Sequence, residues 1–436
     1  MQLSHTIASP LASARRLRYN APAIPDAVGE GRAVTAPSAG GPRCEETRVT
    51  LELSRLTGHV QAMGEELAAR QRQRADLVLL ARRWLAQYAD QVKQLRHPAR
   101  AIPTAIPTDE PLNAVHPLPA TPERFTVIAA DGSQIQPDRH GVALYYLINI
   151  GSLVYRHGSG EAPDAHSEPT LGYTEADLYE NGVLVNGNPL DVRRDLAEIS
   201  RLADLCAVEP PGPTVALVDG PLILWVLEGH SEEWQSAKVM AYLDQLHRIR
   251  KAGAAVAAFI SRPRHAEVTR LLHLASLEGD VNRATQEPNP LEHLPDRAVF
   301  ESLPPGTRSA LFISPSPINH KYYERAGHGV RFCYLNLAEE EHDPVIARVE
   351  FPAWVVEDPD RLTLVHGAIV AQARITGDYP YALARADELA YISGPERETF
   401  EEMVTTALLH AGVRSALSPK AYYKTLTRRG GRKYRV

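Results

Sequence analysis

Two segments of this chain end an apolar run in a bare carboxylate followed by glycine: FTVIAADGSQ at 125–134 and TVALVDGPLI at 214–223. Runs this rich in β-branched and aliphatic residues, without polar alternation, are strands covered on both faces, the kind found in α/β sheets. In open α/β sheets the reactive side chains gather where such strands leave the core. Asp131 and Asp219 stand at that point, and if the two strands are neighbours their carboxylates converge. Converged carboxylates repel one another, and a cation that prefers oxygen ligands, Mg²⁺ or Mn²⁺, relieves the repulsion. A pair of such ions, roughly 4 Å apart, activates water and steadies the leaving oxygen in phosphodiester hydrolysis. Gly132 and Gly220 fit either a close backbone approach to a charged substrate or a positive φ, and Ser133 offers a hydroxyl and an amide to a phosphate oxygen. Asp-Gly alone also marks ordinary hairpin turns, so the weight rests on its repetition after two apolar strands.

Residues 1–47 are rich in Ala, Pro, Gly and Ser and predict a tail without fixed fold. Over 48–97, Leu53, Leu56, Val60, Met63 and Leu67 recur at three and four residues, and Leu77, Ala81, Trp84, Tyr88, Val92 and Leu95 resume the pattern. This predicts one long amphipathic helix or a helical hairpin with the polar ARQRQRAD at its middle, packing on the main domain or on a second subunit. Residues 98–124 form a proline-rich connector. From 125 the pattern predicts a meander of FTVIAAD, GVALYYLINIG and SLVYRHG, then a helix from about Val192 carrying Glu198, then TVALVDGPLI. A helix stopping at Gly253, an apolar strand AAVAAFISRPR, two further strands VRFCYLNLA and VIARVEFPAWV, and helices from Pro359 follow. Strands alternating with helices imply parallel pairing across buried crossovers, within a domain placed at 125–415.

Composition narrows the function classes. Hydrophobic residues are 44% and charged residues 23%, the balance of a water-soluble globular chain, and no apolar run reaches eighteen residues. The first twenty residues lack the continuous apolar core of a secretory signal, so a cytoplasmic location is the expectation. Cys44, Cys206 and Cys333 are far apart with no CxxC spacing, and the histidines form no HxH or HExxH group, which argues against disulfides and zinc. A net charge of −6 is poor for nucleic-acid binding, but residues 416–436 form a basic tail in which Lys420 and Lys424 lie four apart. Such a tail is either simply solvated or a contact for a DNA backbone.

Several ordered pieces together resemble the NurA nuclease family: DGS after a strand, the helical R..L.E of Arg193, Leu196 and Glu198, VDGPL, IARVEFPAWV and YPYALARADELA, over residues 125–425. The resemblance implies an RNase H-like core, three antiparallel strands followed by parallel ones, flanked by helices. It implies a DNA-end nuclease of 5′ to 3′ polarity on single- and double-stranded DNA, acting as a homodimer with a hexameric HerA-type ATPase. The chain has no GxxxxGK followed by Ser or Thr, so ATP-driven movement falls to such a partner. Carried over by position, Asp131, Glu198 and Asp219 are the implied ligands of two Mn²⁺ or Mg²⁺ ions. Tyr379 resembles the family's late tyrosine, which contacts phosphate or orients water. Asp387 stands where many members carry histidine; it can ligate a metal, but an ionised carboxylate cannot donate a hydrogen bond as imidazole does.

Arg262 and Arg264 in SRPRH, after the fifth strand, are candidate phosphate contacts or a plain surface loop. Trp225, Trp234 and Trp354 sit in apolar patterns and read as core or interface rather than stacking platforms. Arg348 and Glu350 share a strand face as a salt bridge of modest worth. Two other functional readings stay open. Asp387 and the long N-terminal helix also suit a non-catalytic DNA-binding or scaffold subunit of a translocase, and RNA as substrate is untouched by any residue that would test for a 2′-hydroxyl.

Overall fold

The computed structural model describes residues 53–225, 231–340 and 342–413. The chain divides after Met63 into two units. The described part of the first is a short 3-10 turn, Leu53–Leu56, and the opening of helix α1 (Thr57–Gln87), on which Leu53, Leu56, Val60 and Met63 are exposed. Helix α1 runs unbroken through the ARQRQRAD segment, so the helical hairpin is not formed there.

In the second unit α1 is followed by α2 (Val92–Ala99), β1 (Phe125–Ile135), β2 (Tyr146–His157), β3 (Asp164–Gly172), α3 (Asn188–Val208) and β4 (Thr214–Asp219). Then come α4 (Glu232–Lys251), β5 (Ala255–Ile260), α5 (Glu267–Ser276), β6 (Val330–Asn336), β7 (Ile346–Pro352), α6 (Pro359–Thr376), α7 (Tyr381–Ala390) and α8 (Gly394–His410). The principal strands lie in the order β3-β2-β1-β4-β5-β7-β6. β1, β2 and β3 form an antiparallel meander, β4 and β5 run parallel to β1, and β7 returns antiparallel beside β5. This is the RNase H-like order, extended at one edge by β7 and β6.

The meander differs from the one the sequence predicts. SLVYRHG is the second half of β2, and the third strand is the polar DAHSEPTLG. That strand lies at the sheet edge and is exposed along nearly its whole length, so neither face imposes an apolar pattern. The proline-rich connector is also more than a spacer. Ile106–Pro107 pairs with Phe312–Ile313, and Val115–His116 pairs with Arg308–Ser309, stitching it to the far edge of the sheet.

β1 is buried from Phe125 to Ala130 because helices cover both of its faces. α3 presents Ile199, Leu202, Ala203 and Cys206 to the sheet, and α6 and α7 present Val365, Ile369, Leu383 and Ala386. A second cluster joins Leu85, Val92 and Leu95 to Leu271, Leu272 and Phe332, so the later part of the N-terminal apolar pattern packs where the earlier part does not. α4 begins with Glu232 and Glu233 and ends with Arg248, Arg250 and Lys251, in keeping with its dipole, and Gly253 at φ 86° stops it. Trp354 is buried and donates from Nε1 to His328 Nδ1 at 3.0 Å, a core role. No helix among the described residues is long and apolar enough to cross a membrane.

Candidate functional site

The parallel register sets the site. Thr126–Ala130 of β1 lie beside Thr214–Val218 of β4, and the pairing stops there. Asp131 is the next residue of β1, and Asp219 the last of β4, so both carboxylates emerge at the same end of adjacent strands. β1 itself does not turn at Asp131. It continues through Gly132 and Ser133 against β2 alone, with Asp131 opposite Gly151 and Ser133 opposite Asn149.

The two glycines therefore serve different ends. Gly220 adopts φ 88°, a left-handed conformation with nothing close to its missing Cβ, and turns the chain out of β4. Gly132 lies within an extended strand, and a Cβ there would sit 2.6 Å from Glu198 Oε1 and 2.7 Å from Arg194 Cγ. Its lack of a side chain lets α3 bring Glu198 over β1 beside Asp131.

α7 closes the site from the other side, and another glycine admits it. A Cβ on Gly151 would lie 2.2 Å from the Ala386 carbonyl oxygen and 2.4 Å from the Ala390 nitrogen. Asn149 Nδ2 donates to the carbonyls of Leu389 (3.2 Å) and Ala390 (2.9 Å), and the Ser133 hydroxyl also donates to Ala390. These bonds satisfy the open carbonyls at the end of α7. Ser133 thus spends its proton on holding α7, and Asp387, on the same helix, is brought close enough to Asp131 to raise its carboxyl.

The acids perturb one another. Burial raises the Asp131 carboxyl from 3.8 to about 6, with Asp219 and Asp387 adding to the rise. Burial also raises Asp219; the Tyr379 hydroxyl, donating to Asp219 Oδ2 at 2.7 Å, and the Gly220 amide oppose it, while Asp387 adds to it. Glu198, its side chain 12% exposed, is pushed well above the usual carboxylate range by burial and by Asp195, Asp131 and Asp219. Arg194 stands against this charge, with Nε 3.1 Å from Glu198 Oε1 and Nη2 3.0 Å from Asp195 Oδ1. Asp131, Glu198 and Asp219 line a cavity of about 350 Å³ together with Arg194, Trp225 and Tyr242.

Among the described residues, no three His, Cys, Asp or Glu side chains are gathered closely enough to grip an ion as they lie. Asp131 leans on Asp387, Asp219 on Tyr379, and Glu198 on Arg194. The donor chemistry nevertheless fits a hard divalent cation: oxygen ligands only, with neighbouring carboxylates raising Asp131, Asp219 and Glu198. Arg262 and Arg264 are exposed in the loop after β5, at the same end of the sheet, and Arg262 takes the left-handed φ of 46°. Lys420 and Lys424 lie outside the described residues. The sequence reading passed over Arg194, Asp195, Asn149 and Gly151. A glycine and an asparagine inside the apolar strand YLINIGSLV were the available signal, since Gly in a strand marks a close approach of another backbone.

Comparison with known proteins follows the same lines. The NurA domain model matches residues 125–392. No curated protein matches the sequence. Among solved structures the chain is similar to the NurA nuclease from Sulfolobus solfataricus, at 14% identity over 80% of this chain and 98% of that one, with a TM-score of 0.44. It is similar also to NurA bound to dAMP and manganese, at 12% identity over 83% and 98% of the two chains and a TM-score of 0.37. A type 1 RNase H, LC9-RNase H1, aligns at 13% identity over 39% and 77%, with a TM-score of 0.21.

Proposed function

Because this chain belongs to the NurA family, we propose that it is a divalent-metal-dependent deoxyribonuclease that processes DNA ends. The observation that carries the reading is a set of acids on separate elements, Glu198 nearly buried, Asp131 half-buried and Asp219 at the exposed rim, whose carboxyl groups are all held above their ordinary range. Such an arrangement is unfavourable in a metal-free protein and favourable around a cation. Asp131, Glu198, Asp219 and Asp387 would hold Mn²⁺ or Mg²⁺, two ions by family resemblance. Bound there, the metal supplies activation of water and stabilisation of the departing 3′-oxygen.

The chain's own residues prepare the rest. Tyr379 orients Asp219 and supports its ionised form; Arg194 balances Glu198 and Asp195. Gly132 and Gly220 shape the backbone around the acids. Arg262, Arg264 and, in the tail, Lys420 and Lys424 are the proposed contacts to the DNA backbone, with the Ser133 amide a further one. Polarity from 5′ to 3′, action on single and double strands, homodimer formation and coupling to a hexameric HerA-type ATPase belong to the same proposal, and the exposed stripe from Leu53 to Leu67 suits an assembly surface.

Cleavage of end-labelled DNA with Mn²⁺, Mg²⁺ or EDTA tests the reading. Wild type is expected to release label only with metal, and Asp131→Ala and Asp219→Ala to lose at least about a hundredfold in rate while staying folded. Wild-type rates in either variant defeat the assignment. Intact DNA in every lane, with partner and ATP present, would instead support a non-catalytic subunit.

A further inference from the structure

We propose that Glu350 is a positioning residue for the site: through the backbone amide of Leu222 it fixes the turn that begins at Asp219. Glu350 lies on β7, two strands away from β4, with Ala258 of β5 as its register partner. Its side chain is fully buried and reaches across β5. Oε2 accepts from the Leu222 N–H at 2.9 Å, and Oε1 accepts from Arg348 Nε at 2.8 Å. The same turn is held at three more points: Gly220 N donates to Phe259 O at 3.0 Å, Tyr323 Oη donates to Leu222 O at 3.1 Å, and Leu224 N reaches Tyr323 Oη at 3.4 Å.

Arg348 extends the device. Its Nη1 donates to Glu267 Oε2 at 2.7 Å, and Glu267 is the first residue of α5, just after the loop bearing Arg262 and Arg264. A buried chain of Glu350, Arg348 and Glu267 therefore ties the Asp219 turn to the start of α5. Arg348 is wholly withdrawn from water, lies 3.6 Å from the Phe332 ring, and leaves Nη2 without a partner.

Such an arrangement is a poor way to gain stability. Well-packed apolar residues of similar volume commonly do as well or better than a buried ion pair. What an apolar pair cannot do is accept the hydrogen bond of a buried amide and set its position along the strand direction. The ion chain thus has a geometric task, and the carboxylate it serves is Asp219, three residues before Leu222. The effect on metal binding rests on the proposed nuclease function; the effect on the turn does not.

The test uses the full chain and two variants, Glu350→Asp, whose carboxylate is one methylene short of Leu222, and Tyr323→Phe, which leaves every charge paired. Hydrogen exchange of the peptide 219–225 is expected to accelerate about tenfold in either variant, with β1 and β5 unchanged. Mn²⁺ alone, titrated by calorimetry, is expected to bind about tenfold more weakly, and kcat to fall with KM for DNA unchanged. Exchange of 219–225 within about twofold of wild type in the folded variants overturns the proposal. If Glu350→Asp does not fold, Glu350→Gln, which keeps the side-chain length but loses the charge that Arg348 Nε aligns, decides by the same readouts. A wild type that neither binds Mn²⁺ nor cleaves DNA defeats the nuclease reading while the exchange measurement still judges the clamp.

Discussion

Replacing Asp131 by Asn should stabilise the metal-free protein at neutral pH while removing its metal-dependent activity. The carboxyl titrates near 3.8 when unfolded and at about 6 in the fold, chiefly because it is buried. A group bound to its proton more tightly in the fold adds no penalty below about 4, a growing one as pH rises through that window, and the full penalty above about 6. A shift of about two units corresponds to about 3 kcal/mol. Because Asp131 is partly exposed and shares its charge with Asp219 and Asp387, we expect about 1–2 kcal/mol of it to appear. Asn keeps an oxygen for the Gly132 N–H, bonded at 2.8 Å, and offers Asp387 a donor in place of a repelling charge. Thermal unfolding in EDTA should therefore show Asp131→Asn above wild type at pH 7.5, with the gap closing by about pH 4. Added Mn²⁺ should reverse the order, since a ligand stabilises only the chain that binds it. An Asn variant less stable than wild type in EDTA at pH 7.5, or a gap that persists at low pH, would refute the claim that the fold holds Asp131 against the cost of its ionisation.

Two other substitutions probe how the acids are set. In Gly132→Ala the new methyl would meet Glu198 Oε1 at 2.6 Å and Arg194 Cγ at 2.7 Å, so a loss of about 1–3 kcal/mol by denaturant unfolding is expected together with weaker Mn²⁺ binding; wild-type values for both would show that the two side chains can move aside. Tyr379→Phe deletes the hydrogen bond that favours ionised Asp219, so the carboxyl rises further and the acid limb of the pH–rate profile should move to higher pH. An unshifted limb would detach Tyr379 from Asp219.

The strands were legible where burial imposes one kind of residue. FTVIAA, TVALV and AVAAF are covered on both faces and read directly as buried sheet strands. β3 was not legible, because an exposed edge strand is free to carry DAHSEPTLG. The positions of Asp131 and Asp219 at one end of adjacent strands followed from the strand pattern, and Glu198 from its place on the next helix. Their partners did not. Arg194 against Glu198, Ser133 against the end of α7, and Glu350 against Leu222 each depend on two distant elements meeting, and no local pattern encodes such a meeting. The Arg348–Glu350 pair illustrates the limit: two positions on one face of a strand suggested a salt bridge of modest worth, whereas burial makes it a fixed strut.

The repeated Asp-Gly shows how one dipeptide can answer two physical demands. At Asp219 the chain must leave the sheet, and Gly220 supplies the left-handed turn that Glu350 and Tyr323 then hold in place. At Asp131 the chain stays in the sheet, and Gly132 instead makes room for a carboxylate from another helix. Gly151 makes the same kind of room for α7, and with it for Asp387. The acids are thus brought together by omitted side chains on β1 and β2 and by a pinned turn after β4. On this account the site is specified as much by where backbone can approach backbone as by the carboxylates themselves. A change that adds a methyl at Gly132, against Glu198 Oε1, should therefore impair metal binding without replacing a single ligand.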